Sequence, residues 1–301
     1  MAEVDPAGGA PDRTTSPLVS PAASSGLLEV FRRRYLLRLL VKREISARYQ
    51  GSFLGLVWSY INPLSQFFIF YVVFGILMNR GDSVENFAIH LFTGLVIVHF
   101  FNETLNAGTR AIVRNRQMVQ KMALPKEMFP VASMLVSGFH IGPQLVILVI
   151  ACVAKGWSPD PIGLAAGVLG LLVCMALGTS LALLFSAANV FMRDIGNAVN
   201  VLTNFVRFGV PMMYPFSDVA NSRLSDFWVE VYLANPVCQA VLLMQRCFWV
   251  GTTDDPQQTA LDHMPDHLFA RGFVALFASM VLMVIAQKVF SRLENKMPER
   301  L

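Results

Sequence analysis

Charge is what this chain is short of. Only 15% of its 301 residues are Asp, Glu, Lys or Arg, against 54% hydrophobic, whereas soluble domains carry about 25% charged residues. A soluble globular domain is therefore excluded. Cysteine is scarce: Cys152, Cys174, Cys238 and Cys247 form no CxxC pair, so neither a disulfide framework nor a thiolate metal site is called for. No GxxxxGK[ST] stretch occurs, so the chain lacks the loop that cradles nucleotide phosphates. Acidic residues scatter over a long loop rather than converging at one membrane face, which argues against general acid–base or metal-assisted catalysis, and no catalytic residue is expected. The one histidine and aspartate cluster, Asp262 to His267, contains Pro265, which prevents the regular helix that would align both imidazoles, so no metal is expected there. No short apolar core followed by a small-residue cleavage site precedes the first long apolar run, and a cleaved signal peptide is not expected.

What is present is a set of long apolar runs. Six reach the roughly 17 to 25 residues that a bilayer core demands, at about 54–78, 87–110, 128–154, 162–191, 198–214 and 273–289. Residues 1–26, rich in Pro, Ala, Ser and Gly, read as a disordered tail. Residues 27–50 mix Leu28, Phe31, Tyr35, Leu36, Leu39 and Leu40 at helical spacing with Arg32, Arg33, Arg34, Arg38, Lys42, Arg43 and Arg48, the pattern of a basic amphipathic helix on a membrane surface. A kink is expected near Pro63 in the first span. The second span carries His99, Asn102, Glu103, Asn106 and Arg110 on one face, which should look into protein or water. Residues 227–250 are apolar, yet Glu230, Asn235, Pro236 and Arg246 break them into short pieces, favouring a re-entrant hairpin over a seventh span.

The basic residues choose between these counts, because Lys and Arg gather on the cytoplasmic side of a membrane protein. With six spans, one side (residues 1–55, 110–130, 193–194 and 286–301) holds 18 of the 24 Lys and Arg, while the opposite loops hold five, with ten acidic residues. Seven spans would throw Lys288, Arg292, Lys296 and Arg300 outside. The expected fold is thus an all-α integral membrane protein of six transmembrane helices, both termini cytoplasmic, with an N-terminal interface helix and an external re-entrant hairpin between the last two spans. The net charge of +4 then reflects topology, and no nucleic-acid partner is implied.

Two short charged segments between long helices stand out, Asn115 to Pro130 (NRQMVQKMALPKEMFP) and Phe191 to Gly196 (FMRDIG). Together with the first span (Gly51 to Gly75), the LFTGL opening of the second, Asn115, Lys121, Pro125 and Pro130, the Arg193-Asp194-Ile195 turn, Pro211, Tyr214 and Pro215, and the Asn235-Pro236 pair, they make the chain similar to the permease subunit of polysaccharide-exporting ABC transporters of the ABC-2 type. The resemblance covers nearly everything after the tail, residues 51–301 forming the transmembrane domain. It implies a permease without enzymatic activity of its own, an ABC ATPase partner in two copies that binds ATP and Mg, a second copy of this chain, and a lipid-linked polysaccharide as cargo. Members with this layout export O-antigen, teichoic acid or mycobacterial galactan; the Ala, Val and Arg bias and the Pro/Ala/Ser tail look actinobacterial, and the resemblance alone then favours galactan. A proton-coupled transporter and a membrane-embedded glycosyltransferase are the rival readings.

For coupling to the ATPase, the candidates are Met118, Lys121, Met122, Leu124, Pro125, Lys126, Arg193 and Asp194: bases for acidic partner groups, Met and Leu for adaptable apolar contact, Pro for stiffness. Ordinary positive-inside bias explains the same bases. For a sugar path, Trp58, Phe67, Tyr71, Phe205, Phe208, Met212 and Tyr214 offer ring faces and apolar surface, although plain packing is the commoner use of such residues. Arg207 either attracts an anionic group in transit or reaches the outer headgroups, and Glu103 either serves a function or pairs with Arg110. Three GxxxG spacings (Gly51 and Gly55, Gly138 and Gly142, Gly163 and Gly167) suit close helix packing.

Overall fold

The computed structural model describes residues 26–51, 55–122, 124–297 and 299–300, without the side chains of Leu56 and Asp82. Of the tail assigned to residues 1–26, residues 1–25 lie outside the described residues and Gly26 begins α1; residues 52–54 near the start of the first span and Ala123 in the first charged segment also lie outside them. Helices account for all the regular structure among the described residues. They are α1 (Gly26–Arg32), α2 (Arg34–Tyr49), α3 (Trp58–Phe70), α4 (Arg80–Ser83), α5 (Phe87–Arg114), α6 (Arg116–Lys121), α7 (Met128–Ala154), α8 (Pro161–Phe191), α9 (Ile195–Phe208), α10 (Phe216–Ala220), α11 (Asp226–Leu233), α12 (Pro236–Cys247), α13 (Pro256–His263) and α14 (Leu268–Glu294).

Five of these are long and apolar enough to cross a bilayer: α3 with its continuation to Leu77, α5, α7, α8 and α14. α3 runs through Pro63 and widens into π-helical turns over Tyr71–Leu77. The expected single interface helix is divided at Arg33, whose φ of −90° and ψ of 36° leave the helical region. α2 buries Leu37 and Leu40 against α7, while Leu28, Phe31, Tyr35 and Leu39 stay exposed. The chain thus has an apolar edge on both sides of its arginines.

The largest departure from expectation is at 198–214. α9 begins at Ile195 and stops at Phe208, only 14 residues, which at 1.5 Å per residue covers about 21 Å. Pro211 explains the stop, because it supplies no amide donor and biases Val210 away from helix. Val210, Met212 and Met213 instead turn inward and are buried.

α5 is the axis of the bundle, packed on α7, α8, α9 and α3, and its contact with α8 is glycine-mediated. A Cβ on Gly108 would lie 2.5 Å from the Ala182 Cβ, and one on Gly178 would lie 3.1 Å from Thr104. Of the three GxxxG spacings, only Gly163 and Gly167 meet a neighbour closely, the end of α12 at Arg246 and Cys247; a Cβ on Gly51, Gly55 or Gly142 would meet nothing within 4 Å.

α11 and α12 meet at a 79° bend. Asn235 caps α12 by accepting from the Val237 amide (3.0 Å), and Pro236 occupies the first turn, where its missing donor costs nothing. α12 runs antiparallel to α8, with Ala240 and Leu243 beside Gly170 and Cys247 beside Gly167. Its far end is fixed by Trp249 Nε1 donating to the Glu85 carbonyl (2.7 Å) and the Ser158 amide donating to the Gly251 carbonyl (2.9 Å). The approach to α11 lies at this same end of the bundle, since Arg80 pairs with Asp218 (2.6 Å) and Ser217 shares a hydrogen bond with His263 (2.8 Å).

Candidate functional site

The polar face of α5 does look inward, and it organises a column of hollows. At the end rich in Lys and Arg, a cavity of about 560 Å³ opens between α2, α5 and α7, lined by Arg43, Glu44, Arg48, Glu103, Asn106, Arg110, Arg114, Asn115, Ser133 and Ser137. A second, of about 150 Å³, shares Arg48 and Glu103 and adds Tyr49, Trp58, Asn62, His99 and His140. A third, much smaller hollow continues past His99 to Asn102, Gln66, Phe70, Met212 and Arg207.

Ion pairs and hydrogen bonds define the first cavity. Arg48 pairs with Glu103, whose Oε1 is also 2.8 Å from His140 Nδ1, and Arg114 pairs with Glu44. Glu103 thus joins Arg48 and His140 rather than Arg110, one of the two uses considered for it. Arg110 instead donates to the Gly196 carbonyl (3.0 Å), and Arg43 donates to Asn115 Oδ1 (3.3 Å) and to the Met118 thioether. Several buried acceptors have no donor, among them Glu103 Oε2, Asn106 Oδ1, Asn102 Oδ1 and Gln144 Oε1. Unpaired acceptors are costly away from water, so the column is suited to a guest that brings hydroxyl or amide donors to them and anionic oxygens to the arginines.

The residues proposed for coupling divide sharply. Lys121 and Met122 of the first segment and Arg193 and Asp194 of the second are exposed, and Leu124 and Pro125 are half-buried. Arg116, Arg193 and Arg300 line one hollow of about 140 Å³, so the two segments lie side by side at the basic end. Met118 is partly covered and engaged by Arg43. Lys126 departs from its expected role: only 9% exposed, it donates to the Glu294 carbonyl (2.7 Å) and offers no docking charge. Burial pulls its ammonium below the usual lysine range, against the opposing pull of the Glu294 and Glu127 carboxylates.

The proposed path residues are similarly mixed. Phe205 and Phe208 are exposed at 72% and 59%, and Trp58 at 47%. Phe67 instead packs inward, edge-on to Phe92 and stacked with Tyr71. Met212 is buried against Gly94 and reaches only the small third hollow, beside Arg207. The Tyr214 hydroxyl donates to the Phe208 carbonyl (3.2 Å) and meets Tyr232, bracing the turn after α9. Arg207 faces the small hollow with Gln66, His99 and Asn102.

Sequence reasoning missed Arg43, Arg48, Arg114 and His140 as one site, because the bases of α2 were assigned to the membrane surface. A signal was present in α7. Ser133, Ser137, His140 and Gln144, spaced by four, three and four, form a polar stripe on an otherwise apolar helix, and Arg43, Glu44, Ala47 and Arg48 form its counterpart on α2.

Comparison with known proteins follows the same lines. The O-antigen export system permease protein RfbA of Myxococcus xanthus is 26% identical over 274 residues, 90% of this chain and 97% of the relative. The protein of the same name from Klebsiella pneumoniae is 23% identical over 265 residues, covering 88% and 94%. Both relatives are named as export system permeases. A family description, ABC-2 type transporter, matches residues 35–249, and with that match spanning most of the helices described above, the chain belongs to the ABC-2 type transporter family.

Proposed function

We propose that this permease moves a lipid-linked polysaccharide across the cytoplasmic membrane, taking energy from an ABC ATPase that binds ATP and Mg. The relatives named for O-antigen export support the cargo class. The observation that carries the reading is the arginine-lined cavity beneath α2, whose orphaned acceptors Glu103 Oε2 and Asn106 Oδ1 adjoin four guanidinium groups. Phosphate oxygens suit the arginines, and sugar hydroxyls suit the acceptors. The cavity is therefore the receiving place for the phosphate and first sugar of the carrier, with a galactan precursor as the favoured cargo.

Assembly as a homodimer with two ATPase copies fits the exposed apolar faces of α3 and α9, including Phe68, Phe205 and Phe208, which a two-fold arrangement would bring to a shared path. We further place both termini in the cytoplasm, count α9 with the turn after it as a crossing, and read α11 and α12 as dipping into the outer leaflet and returning. The 12 residues of α12 reach only about 18 Å, less than the roughly 30 Å of a bilayer core.

Reconstitution of the permease with its ATPase in proteoliposomes tests the function. ATP-dependent appearance of a fluorescent lipid-linked galactan at the far leaflet is the expected result; transfer without ATP, driven by a proton gradient, would overturn it. Labelling in intact cells tests the topology, since a cysteine at Ser291 should be inaccessible from outside.

A further inference from the structure

Resting on that reading of the cavity, the question is how its occupancy reaches the partner. The four arginines around it are not equivalent. Arg48 and Arg114 are neutralised by Glu103 and Glu44. Among the described residues, Arg43 and Arg110 join no ion pair, and their contacts are with neutral atoms. Arg43 holds the Asn115 side-chain oxygen and the Met118 sulfur; Arg110 holds the Gly196 carbonyl. These neutral contacts belong to the two segments exposed at the basic end, Asn115 and Met118 to the first, and Gly196 to the helix that follows Arg193 and Asp194.

We propose that Arg43 and Arg110 are sensing residues, which report a sugar diphosphate in the cavity to both segments at once. Two guanidinium charges without counter-ions match the two negative charges of a diphosphate diester. The exchange is favourable on chemical grounds. A thioether is a weak acceptor and an amide oxygen carries no net charge, whereas a phosphate adds the attraction of opposite charges and accepts the guanidinium fork at two oxygens. Arg43 therefore turns from Met118 and Asn115 to the phosphate. Arg110 likewise loosens its hold on Gly196, whose amide remains tied to Asn189 Oδ1 (3.1 Å). The first segment is then free to shift about Val119, its buried anchor, and the Arg193–Asp194 turn about Asn189. An empty cavity keeps both segments pinned; a filled one releases both.

The experiment uses the permease–ATPase complex in lipid nanodiscs with two probes, a polyprenyl diphosphate carrying one sugar and a soluble UDP-sugar. Binding is measured first, then the ratio of ATP hydrolysis with and without probe for each variant against its own unliganded rate. A fluorophore on a cysteine at Met122, an exposed position in a chain whose native cysteines are all buried, reports motion of the first segment. The wild type should bind the lipid probe, respond with faster hydrolysis and change its emission. Met118→Leu, which keeps the apolar volume and removes the sulfur acceptor, should bind at least as tightly but lose much of the emission change. Arg43→Lys and Arg110→Lys should each reduce the hydrolysis ratio toward unity while still binding. An equal response to the UDP-sugar would support sensing by the head alone, and no response to it would support sensing that needs the carrier lipid to seat the head. Full emission change and full stimulation in Arg43→Lys and Arg110→Lys would overturn the sensing role while leaving the export function standing. A wild type that binds neither probe would overturn the assignment of the cavity itself, and sensing with it.

Discussion

The tightest helix crossing is where α5 meets α8, and it yields a quantitative test. Adding a methyl group at Gly108 places its carbon 2.5 Å from the Ala182 Cβ, about 1 Å inside the ordinary 3.5 to 4.0 Å separation of carbon atoms. Neither group can swing aside, because both are Cβ atoms fixed to helix backbones and Ala182 is fully buried. The two longest buried helices must part instead. Overpacking of this kind costs about 1–3 kcal/mol, which for a chain of this size lowers the melting midpoint by roughly 2 to 5 °C. Ala182→Gly alone removes the methyl and costs about 1 kcal/mol in helix propensity. The combined Gly108→Ala, Ala182→Gly protein moves the methyl from one helix to the other, so the propensity changes cancel and the overlap disappears. Its midpoint should return to that of the parent, which, set against the two single losses, is a coupling of about 2–4 kcal/mol between the two sites. Retention of a monodisperse elution peak after heating in detergent measures this. Additive losses in the double variant, or an unaltered Gly108→Ala protein, would refute the close crossing.

Three further outcomes are expected. Gln245→Leu strands the buried Pro211 carbonyl, to which Gln245 donates at 2.7 Å, and should cost about 1–3 kcal/mol, seen as faster proteolysis between residues 209 and 225. Glu103→Ala deprives Arg48 and His140 of their shared acceptor; Arg48 is half exposed, so the loss should be about 1–3 kcal/mol rather than that of a fully buried pair, and export should fall more than membrane insertion, as read by transport and by yield in membranes. Cysteines at Met122 and Met192, 49% and 60% exposed, should crosslink to the ATPase, whereas one at buried Lys126 should not; absence of a crosslink from Met122 on a gel would remove the exposed part of the first segment from the contact.

Long apolar periodicity made α5, α7, α8 and α14 legible, because each needs only length and composition to be seen. α7 matches the expected 128–154 limits. The end of α9 was not, since an apolar run reads through Gly209 and Val210 while the backbone obeys Pro211. The polar face of α5 was visible from spacing, but not what it faces: Arg48 lies 55 residues before Glu103, and His140 lies 37 after it. Such pairings are set by how α2 and α7 lean on α5, which local pattern does not encode. Lys126 was misjudged for the same reason, as its partner Glu294 lies 168 residues away.

The four longest helices also carry more length than a membrane needs. α5, α7, α8 and α14 have 28, 27, 31 and 27 residues, or about 40 to 46 Å at 1.5 Å each, against about 30 Å of hydrocarbon. Mutual packing through glycines denies α5 and α8 the freedom to absorb that excess by tilting one past the other. At the basic end the surplus is polar in two of them, since α5 closes with Arg110 and Arg114 and α14 with Lys288, Arg292 and Glu294. A force applied to these charged ends need not enter the hydrocarbon, and a swing there is carried along the height of the bundle as through a lever.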